Sequence, residues 1–255
     1  MMNKILKIAV PAALACFSAS SQAEVIVQNN SVGIGYEYMI GDMGDDNPTQ
    51  QDQEYFRFTN VTVADWGSMI GWLKFENPTD TAEAGVGDGY VTTKAWLKLD
   101  YSLGNTPFNA WVQSFTVGNK ATFEENLYLG GSYDVNLGPV KGTAGLGAMY
   151  AYGSMHEGPN AGASFAGFSG YAAVLQLKMP LSKSLTAKFY YEGQFDRSSE
   201  HQSIGYKDYG YQAIACIDYK LPSAMLASLS YKHRENWGGV KAEGGIVFAE
   251  VSYSF

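Results

Sequence analysis

The chain has 255 residues and a formal net charge of −8; only 16% of it is charged, while it holds 29 glycines, 18 tyrosines and 13 phenylalanines. The acidic balance argues against a nucleic-acid partner, which would need a basic footprint. No stretch beyond the first 23 residues approaches the roughly 18–20 continuous apolar residues of a membrane helix, but a membrane barrel stays open because it hides its hydrophobicity in alternation.

The amino-terminal stretch carries Lys4 and Lys7, then an apolar run from Ile8 to Phe17, then small residues ending Ser21-Gln22-Ala23. That layout predicts a secretory signal peptide over residues 1–23, cleaved before Glu24, and one domain over 24–255. A lipoprotein reading at Cys16 fits less well, since Ala13 stands where a leucine is expected. Removing Lys4 and Lys7 from the 17 basic residues leaves 15 against 25 acidic ones. Of the two cysteines only Cys216 lies beyond the leader, so no intrachain disulfide is expected and an inert buried thiol is the expectation for it.

From residue 24 onward the dominant pattern is alternation. In "SVGIGYEYMI", Val32, Ile34, Tyr36, Tyr38 and Ile40 share one face, with Gly33, Gly35 and Glu37 opposite. In "VTTKAWLKLDYSL", Leu97, Leu99 and Tyr101 oppose Lys94, Trp96, Lys98 and Asp100, and in "SLTAKFYYEGQFDR" Phe189 and Tyr191 oppose Lys188, Tyr190 and Glu192. A period of two puts each set on one face of a strand. The pattern predicts twelve strands, over 27–40, 53–64, 66–76, 89–103, 107–117, 123–137, 139–152, 166–179, 183–197, 207–220, 223–235 and 244–255. Within the second and third, the apolar phase slips between Phe58 and Val61, which a β-bulge would explain. The ending "FAEVSYSF" keeps the alternation to its last residue: Ala249, Val251, Tyr253 and Phe255 face one way, Phe248 and Glu250 the other.

The connections alternate long and short: "GDMGDDNPTQQ" then "AD", "NPTDTAEAGVGD" then "GNT", "GSMHEGPNAGAS" then "PLSK", "SSEHQSIGY" then "LPS", with "GNKAT" of intermediate length. Outer-membrane barrels have short periplasmic turns and long extracellular loops. The predicted fold is therefore all-β: a transmembrane antiparallel up-and-down barrel of twelve strands in the outer membrane, both termini periplasmic. A soluble β-sandwich gives no reason for the sorting of loops. Outer-membrane lipids would contact the apolar face, and Tyr253 with Phe255 would join an aromatic girdle.

About eight strands leave a barrel interior filled by side chains, and 16–18 leave a wide channel. Twelve predict a narrow lumen whose lining decides what passes. The inward face holds Lys94, Trp96, Lys98, Asp100, Lys188, Tyr190, Glu192, Lys232, Arg234, Phe248 and Glu250. Aromatics beside both charge signs suit a small polar solute with a flat ring; equally, the charges could pair with one another and plug the lumen. Chemistry beyond transport finds little footing. Twelve-stranded phospholipases need a histidine with a serine and an orienting group, whereas His156 and His201 fall in loops, His233 lies near the end of strand eleven, and no neighbouring strand offers an evident serine. The acidic "GDMGDDNPTQQDQE" lacks the spacing of a calcium loop, so no metal or cofactor is expected.

The stretches "YFRFTNVTVADWGSMIGWLKFENP", "TTKAWLKLDYSL", "NLYLGGSYDVNLGPVKGTAGLGAMYAYG" and "GGIVFAEVSYSF" resemble the nucleoside-specific outer-membrane channels of the Tsx and OmpK-like porin type, in the same order. Lys94 and Lys98 fall where that family is basic; Arg57 and Thr59 depart from its acidic residues. The resemblance implies a monomeric twelve-stranded channel for nucleosides and deoxynucleosides, exploited as a receptor by phage or colicin. The terminal Phe255 resembles the signal that barrel-assembly machinery reads. A general small-solute porin, and a closed barrel acting as a surface receptor, are the alternatives.

Overall fold

The computed structural model describes residues 24–47, 50–79, 91–158, 160–238 and 242–255. The predicted signal peptide (residues 1–23) and the first residues of the fourth predicted strand (89–90) lie outside the described residues. Twelve strands succeed one another: β1 (Val25–Ile40), β2 (Gln53–Ala64), β3 (Gly67–Glu76), β4 (Thr92–Ser102), β5 (Phe108–Gly118), β6 (Thr122–Leu137), β7 (Val140–Met155), β8 (Ser164–Pro180), β9 (Leu185–Phe195), β10 (Gly210–Lys220), β11 (Met225–Glu235) and β12 (Gly244–Ser254). Their ends agree with the predicted segments to within three residues. Two single-turn helices interrupt the connections, α1 (Met43–Asp46) after β1 and α2 (Ser199–Gln202) after β9.

Every strand pairs antiparallel with its sequence neighbours, and β1 closes on β12, so the sheet is a barrel without an edge. Closure runs from Ser31 opposite Ser254 to Ile40 opposite Gly245, and Phe255 donates its N–H to the Asn30 carbonyl at 2.9 Å. The last residue is thus tied into the closing seam, which protects the backbone groups a frayed terminus would leave unpaired.

The apolar face is the outer one. Ile34, Leu146 and Leu229 are among its exposed residues, flanked on the short-turn side by Tyr101, Phe108, Tyr133, Tyr219, Tyr253 and Phe255, and on the long-loop side by Tyr36, Tyr38, Tyr150, Phe168 and Tyr171. An apolar belt between two aromatic girdles is what a lipid bilayer selects on a barrel. Short turns such as Gly138-Pro139, where Gly138 takes φ of +60°, gather at the end where β1 starts and β12 finishes. The opposite end collects the long connections, except that β5 and β6 are joined there by only residues 119–121.

The expected bulge between Phe58 and Val61 is absent. β2 pairs with β3 without a shift from Tyr55 opposite Glu76 to Ala64 opposite Gly67. Its only irregularity against β1 lies at Val25/Val27. The apparent slip is an exchange of polarity: Asn60 Nδ2 donates to Asn30 Oδ1 at 2.8 Å and Thr62 Oγ1 to Asn60 Oδ1 at 3.1 Å on the outer face, while Val61 sits opposite Ile70, which packs against the lumen core. Two outward asparagines satisfy each other near the end of the sheet, where their cost outside the core is small. A real irregularity occurs in β8 opposite Ala148–Tyr150 of β7, where Ser169 and Gly170 (φ +81°) stand against the single residue Met149. Such a bulge re-aims a side chain, here that of Ser169.

Candidate functional site: the lumen

Side chains that face each other across the barrel define the lumen. Gln113 on β5 donates through Nε2 to the Tyr190 hydroxyl at 3.1 Å and to Glu192 Oε1 at 2.9 Å, both on β9. Lys98 on β4 donates to Thr143 Oγ1 on β7 at 2.8 Å. These contacts skip several strands and can only cross the interior. Because directions alternate, these contacts, together with Lys232 reaching Glu37 past β12 and Glu250 reaching Arg57 past β1, place the whole predicted set inward: Lys94, Trp96, Lys98 and Asp100 from β4, Lys188, Tyr190 and Glu192 from β9, Lys232 and Arg234 from β11, Phe248 and Glu250 from β12.

The set divides into three groups. At mid-height lies an aromatic cluster: Trp96 is stacked beside Trp72 of β3 (6.3 Å between centroids, 14° between planes), Tyr190 meets Trp96 edge-on at 5.9 Å, and Phe115 of β5 meets Trp72 at 6.4 Å. Trp111 of β5 packs on Tyr128 of β6 and lies flat against Gly145, whose ideal Cβ would stand 3.1 Å from its ring. Glycine is needed there because the inner wall of β7 is where the indole rests. Beside the cluster Glu192 is fully buried and accepts from three neutral donors: the Tyr190 hydroxyl at 2.6 Å, Gln113 at 2.9 Å and Gln212 Nε2 at 3.0 Å. Among the described residues no cation touches it, which leaves a strong acceptor next to aromatic faces.

Towards the long-loop end sits an ionic cluster. Glu37 Oε1 accepts from Lys74 Nζ at 2.5 Å and Lys232 Nζ at 3.3 Å, and Glu76 accepts from Lys74 at 2.8 Å and from Lys94 at 2.7 Å. Arg234, 3% exposed, donates to Gln50 Oε1 at 2.8 Å and to the Gly238 carbonyl at 3.4 Å, with no carboxylate in contact among the described residues. Three lysines therefore share two carboxylates, with Arg234 as a fourth cation in the same cluster. Phe248 belongs to this group rather than to the aromatic cluster, lying under Lys232 Nζ at 5.1 Å. The third group is a set of separate pairs: Arg57 with Glu250 at 2.6 Å, Lys98 with Asp100, and Lys188 with Asp218. Gly33 lies between Glu250 and Arg57; a Cβ there would come within 2.8 Å of Glu250 Oε1, so the bare backbone lets the carboxylate cross β1. Cys216 is half-exposed rather than buried and donates to Asp218 Oδ1 at 3.2 Å.

Among the described residues, parts of three connections fold inward and narrow the lumen from the long-loop end. Met43 of α1 packs on Met39 and Ile246. Trp237, after β11, is 2% exposed and lies 5.8 Å from Phe115. Arg197, after β9, holds this arrangement together: it donates to the Asn236 carbonyl at 2.6 Å, to Gln194 Oε1 at 2.7 Å and to the Lys207 carbonyl at 3.3 Å. Burial pulls its guanidinium below its ordinary pKa, a cost these three acceptors offset. α2 carries His201 into the wall, where Nδ1 is 2.9 Å from Ser169 Oγ and Nε2 is 3.7 Å from Glu124 Oε1. The sequence offered no serine for His201; the β8 bulge supplies one. His201, Ser169 and Glu124 are all buried, and Phe165 stacks on the imidazole at 4.6 Å, so the trio anchors a loop and presents no nucleophile to solvent.

Alternation foretold the strand residues, and it also carried signals for Trp72, Lys74, Glu76, Trp111, Gln113 and Phe115, which belong to the same inward faces. Nothing periodic marks Trp237 or Arg197, because loop residues reach the lumen through tertiary folding alone.

Residues 36–255 match the family described as "Nucleoside-specific channel-forming protein, Tsx". Solved structures similar in fold include the KdgM porin in complex with disordered oligogalacturonate (12% identity, TM-score 0.50, covering 88% of this chain and 99% of that one). The NanC porin is similar at 9% identity and a TM-score of 0.51, covering 87% and 98%. The COG4313 outer-membrane channel from Pseudomonas putida F1 is similar at 11% identity and a TM-score of 0.50, covering 92% and 98%. At such identities the likeness is one of fold. No curated protein matches the chain.

Proposed function

The chain belongs to the nucleoside-specific channel-forming Tsx family and is an outer-membrane channel for small solutes; on that footing we propose that its permeants are nucleosides and deoxynucleosides, moving down their gradients. The observation that carries the reading is the aromatic cluster beside Glu192. A nucleobase is a flat ring that stacks on the near-parallel indoles of Trp72 and Trp96 with Tyr190 edge-on beside it, and its ribose hydroxyls are donors that compete with Tyr190, Gln113 and Gln212 for the Glu192 carboxylate. Base–aromatic stacking contributes about 1–3 kcal/mol per base, enough to favour a nucleoside over a sugar of similar size without trapping it. Lys94, Lys98, Asp100 and Glu250 serve the edges and hydroxyls of a solute above and below that level. Both termini and the short turns face the periplasm, the long connections face outward, residues 1–23 direct secretion, and Phe255 presents the carboxy-terminal signal to the assembly machinery.

Planar-bilayer recording tests the reading. Millimolar adenosine or uridine reduces the single-channel current, and Trp96→Ala weakens that block by about 5- to 150-fold, the span of one lost stack. A current indifferent to both nucleosides, with flux that does not saturate, would make the protein a general small-solute porin instead.

A further inference from the structure

Three lysines stand side by side on the inner wall near the short-turn end, and among the described residues a single ion pair serves the whole row. Lys141 of β7 is directly opposite Lys178 of β8, and Lys178 is directly opposite Lys188 of β9. Directly opposed residues bring their Cβ atoms to about 4.5–5.5 Å, and like charges so placed destabilise a sheet. Two such pairs in a row therefore carry a cost that packing does not repay, since all three side chains are exposed.

Their direction is set by the residues two places away. Thr143 receives the hydrogen bond from Lys98 across the lumen, Gln176 lies opposite both Thr143 and Tyr190, and Tyr190 is bonded by Gln113 from the far wall. By alternation Lys141, Lys178 and Lys188 point into the lumen as well, one repeat or about 6.7 Å along the strands from Tyr190. The carboxylates nearby are few. Asp218 of β10 pairs with Lys188 and also accepts from Ser228 Oγ at 2.7 Å. Asp134 of β6 stands opposite Thr143, where Asn109 Nδ2 donates to it at 3.0 Å. Asn136, opposite Lys141, is neutral. Among the described residues neither Lys141 nor Lys178 is in an ion pair. The chain as a whole is acidic, so this row, like the four cations over two carboxylates towards the other end, is a local inversion of charge confined to the lumen.

We infer that Lys141, Lys178 and Lys188 form a binding site for an oxyanion, a phosphate or carboxylate carried on a small solute, at the short-turn mouth of the channel. Three ammonium groups on adjacent strands surround such a group from one side, and its negative charge removes the repulsion that the empty row carries. With excess cations at both ends, the lumen favours anions over cations of equal size.

The test uses the full mature chain in planar bilayers with inorganic phosphate as the probe. Phosphate reduces the chloride current of the parent channel, and the reversal potential in a potassium chloride gradient reports preference for chloride. A unit charge acting across about 7 Å of water changes occupancy by about 2.7-fold, so Lys141→Gln with Lys178→Gln weakens phosphate block by about sevenfold or more at low salt. Lys141→Arg with Lys178→Arg keeps the block, which separates lost charge from lost fold. Adenosine block, read in the same channels, is unchanged in the glutamine variant because neither lysine contacts the aromatic cluster. Phosphate block equal in parent and glutamine variant, a parent channel selective for potassium, or joint loss of phosphate and adenosine block would each overturn the assignment.

Discussion

Replacing Glu37 by glutamine removes one of the two carboxylates that hold Lys74, Lys94 and Lys232 together towards the long-loop end of the lumen. Glu37 is 1% exposed and accepts from Lys74, Lys232 and Gln53. Glutamine keeps the volume and one acceptor oxygen, so the change is chiefly one of charge. Lys74 retains Glu76 at 2.8 Å, but Lys232 loses its only carboxylate contact among the described residues. Breaking a buried ion pair from one side costs about 3–5 kcal/mol, and the surviving Lys74–Glu76 pair points to the lower end, about 3 kcal/mol. Urea unfolding in thin phosphatidylcholine vesicles measures it, followed by the fluorescence of the five tryptophans, four of which belong to or pack on the lumen cluster. Linear extrapolation converts the midpoint into a free energy. Removing Lys232 as well, as Glu37→Gln with Lys232→Gln, returns the cluster to its original balance and recovers at least half of the loss, a coupling that a double-mutant cycle reads directly. A Glu37→Gln protein within about 0.5 kcal/mol of the parent would refute the claim that these carboxylates hold the cluster together.

Two further outcomes concern the inward loops and the glycine floor. Arg197→Ala frees the Asn236 carbonyl and with it the neighbouring Trp237, so single-channel conductance rises while stability falls by about 1–3 kcal/mol; unchanged conductance would show that Trp237 is held by Phe115 alone. Gly145→Val drives a branched side chain into the ring of the nearly inaccessible Trp111 and destabilises the barrel by about 1–3 kcal/mol, read in the same urea assay; a neutral result would mean that the indole has room to shift.

The alternation of residues such as Lys94, Trp96, Lys98 and Asp100 states which way each side chain points, because direction along a strand is a local property with a period of two. For that reason the twelve strands, the oily outer face and the inward lining are all legible in the order of residues. A polarity exchange is indistinguishable from a bulge in one strand taken alone, and so Phe58–Val61 misled: only the unbroken pairing of β2 with β3 separates the two.

The linear order of residues therefore specifies the wall: its strands, its two faces and the kinds of groups on each. What those groups meet depends on how the wall closes. Gln113 reaches Glu192, 79 residues away, and Lys232 reaches Glu37, 195 residues away, because closure and stagger set the height of every strand relative to the others. The lysine row, the serine beside His201 and the tryptophan folded in from a loop arise in the same way. Stagger is shared by the whole closed sheet, and no single strand encodes it.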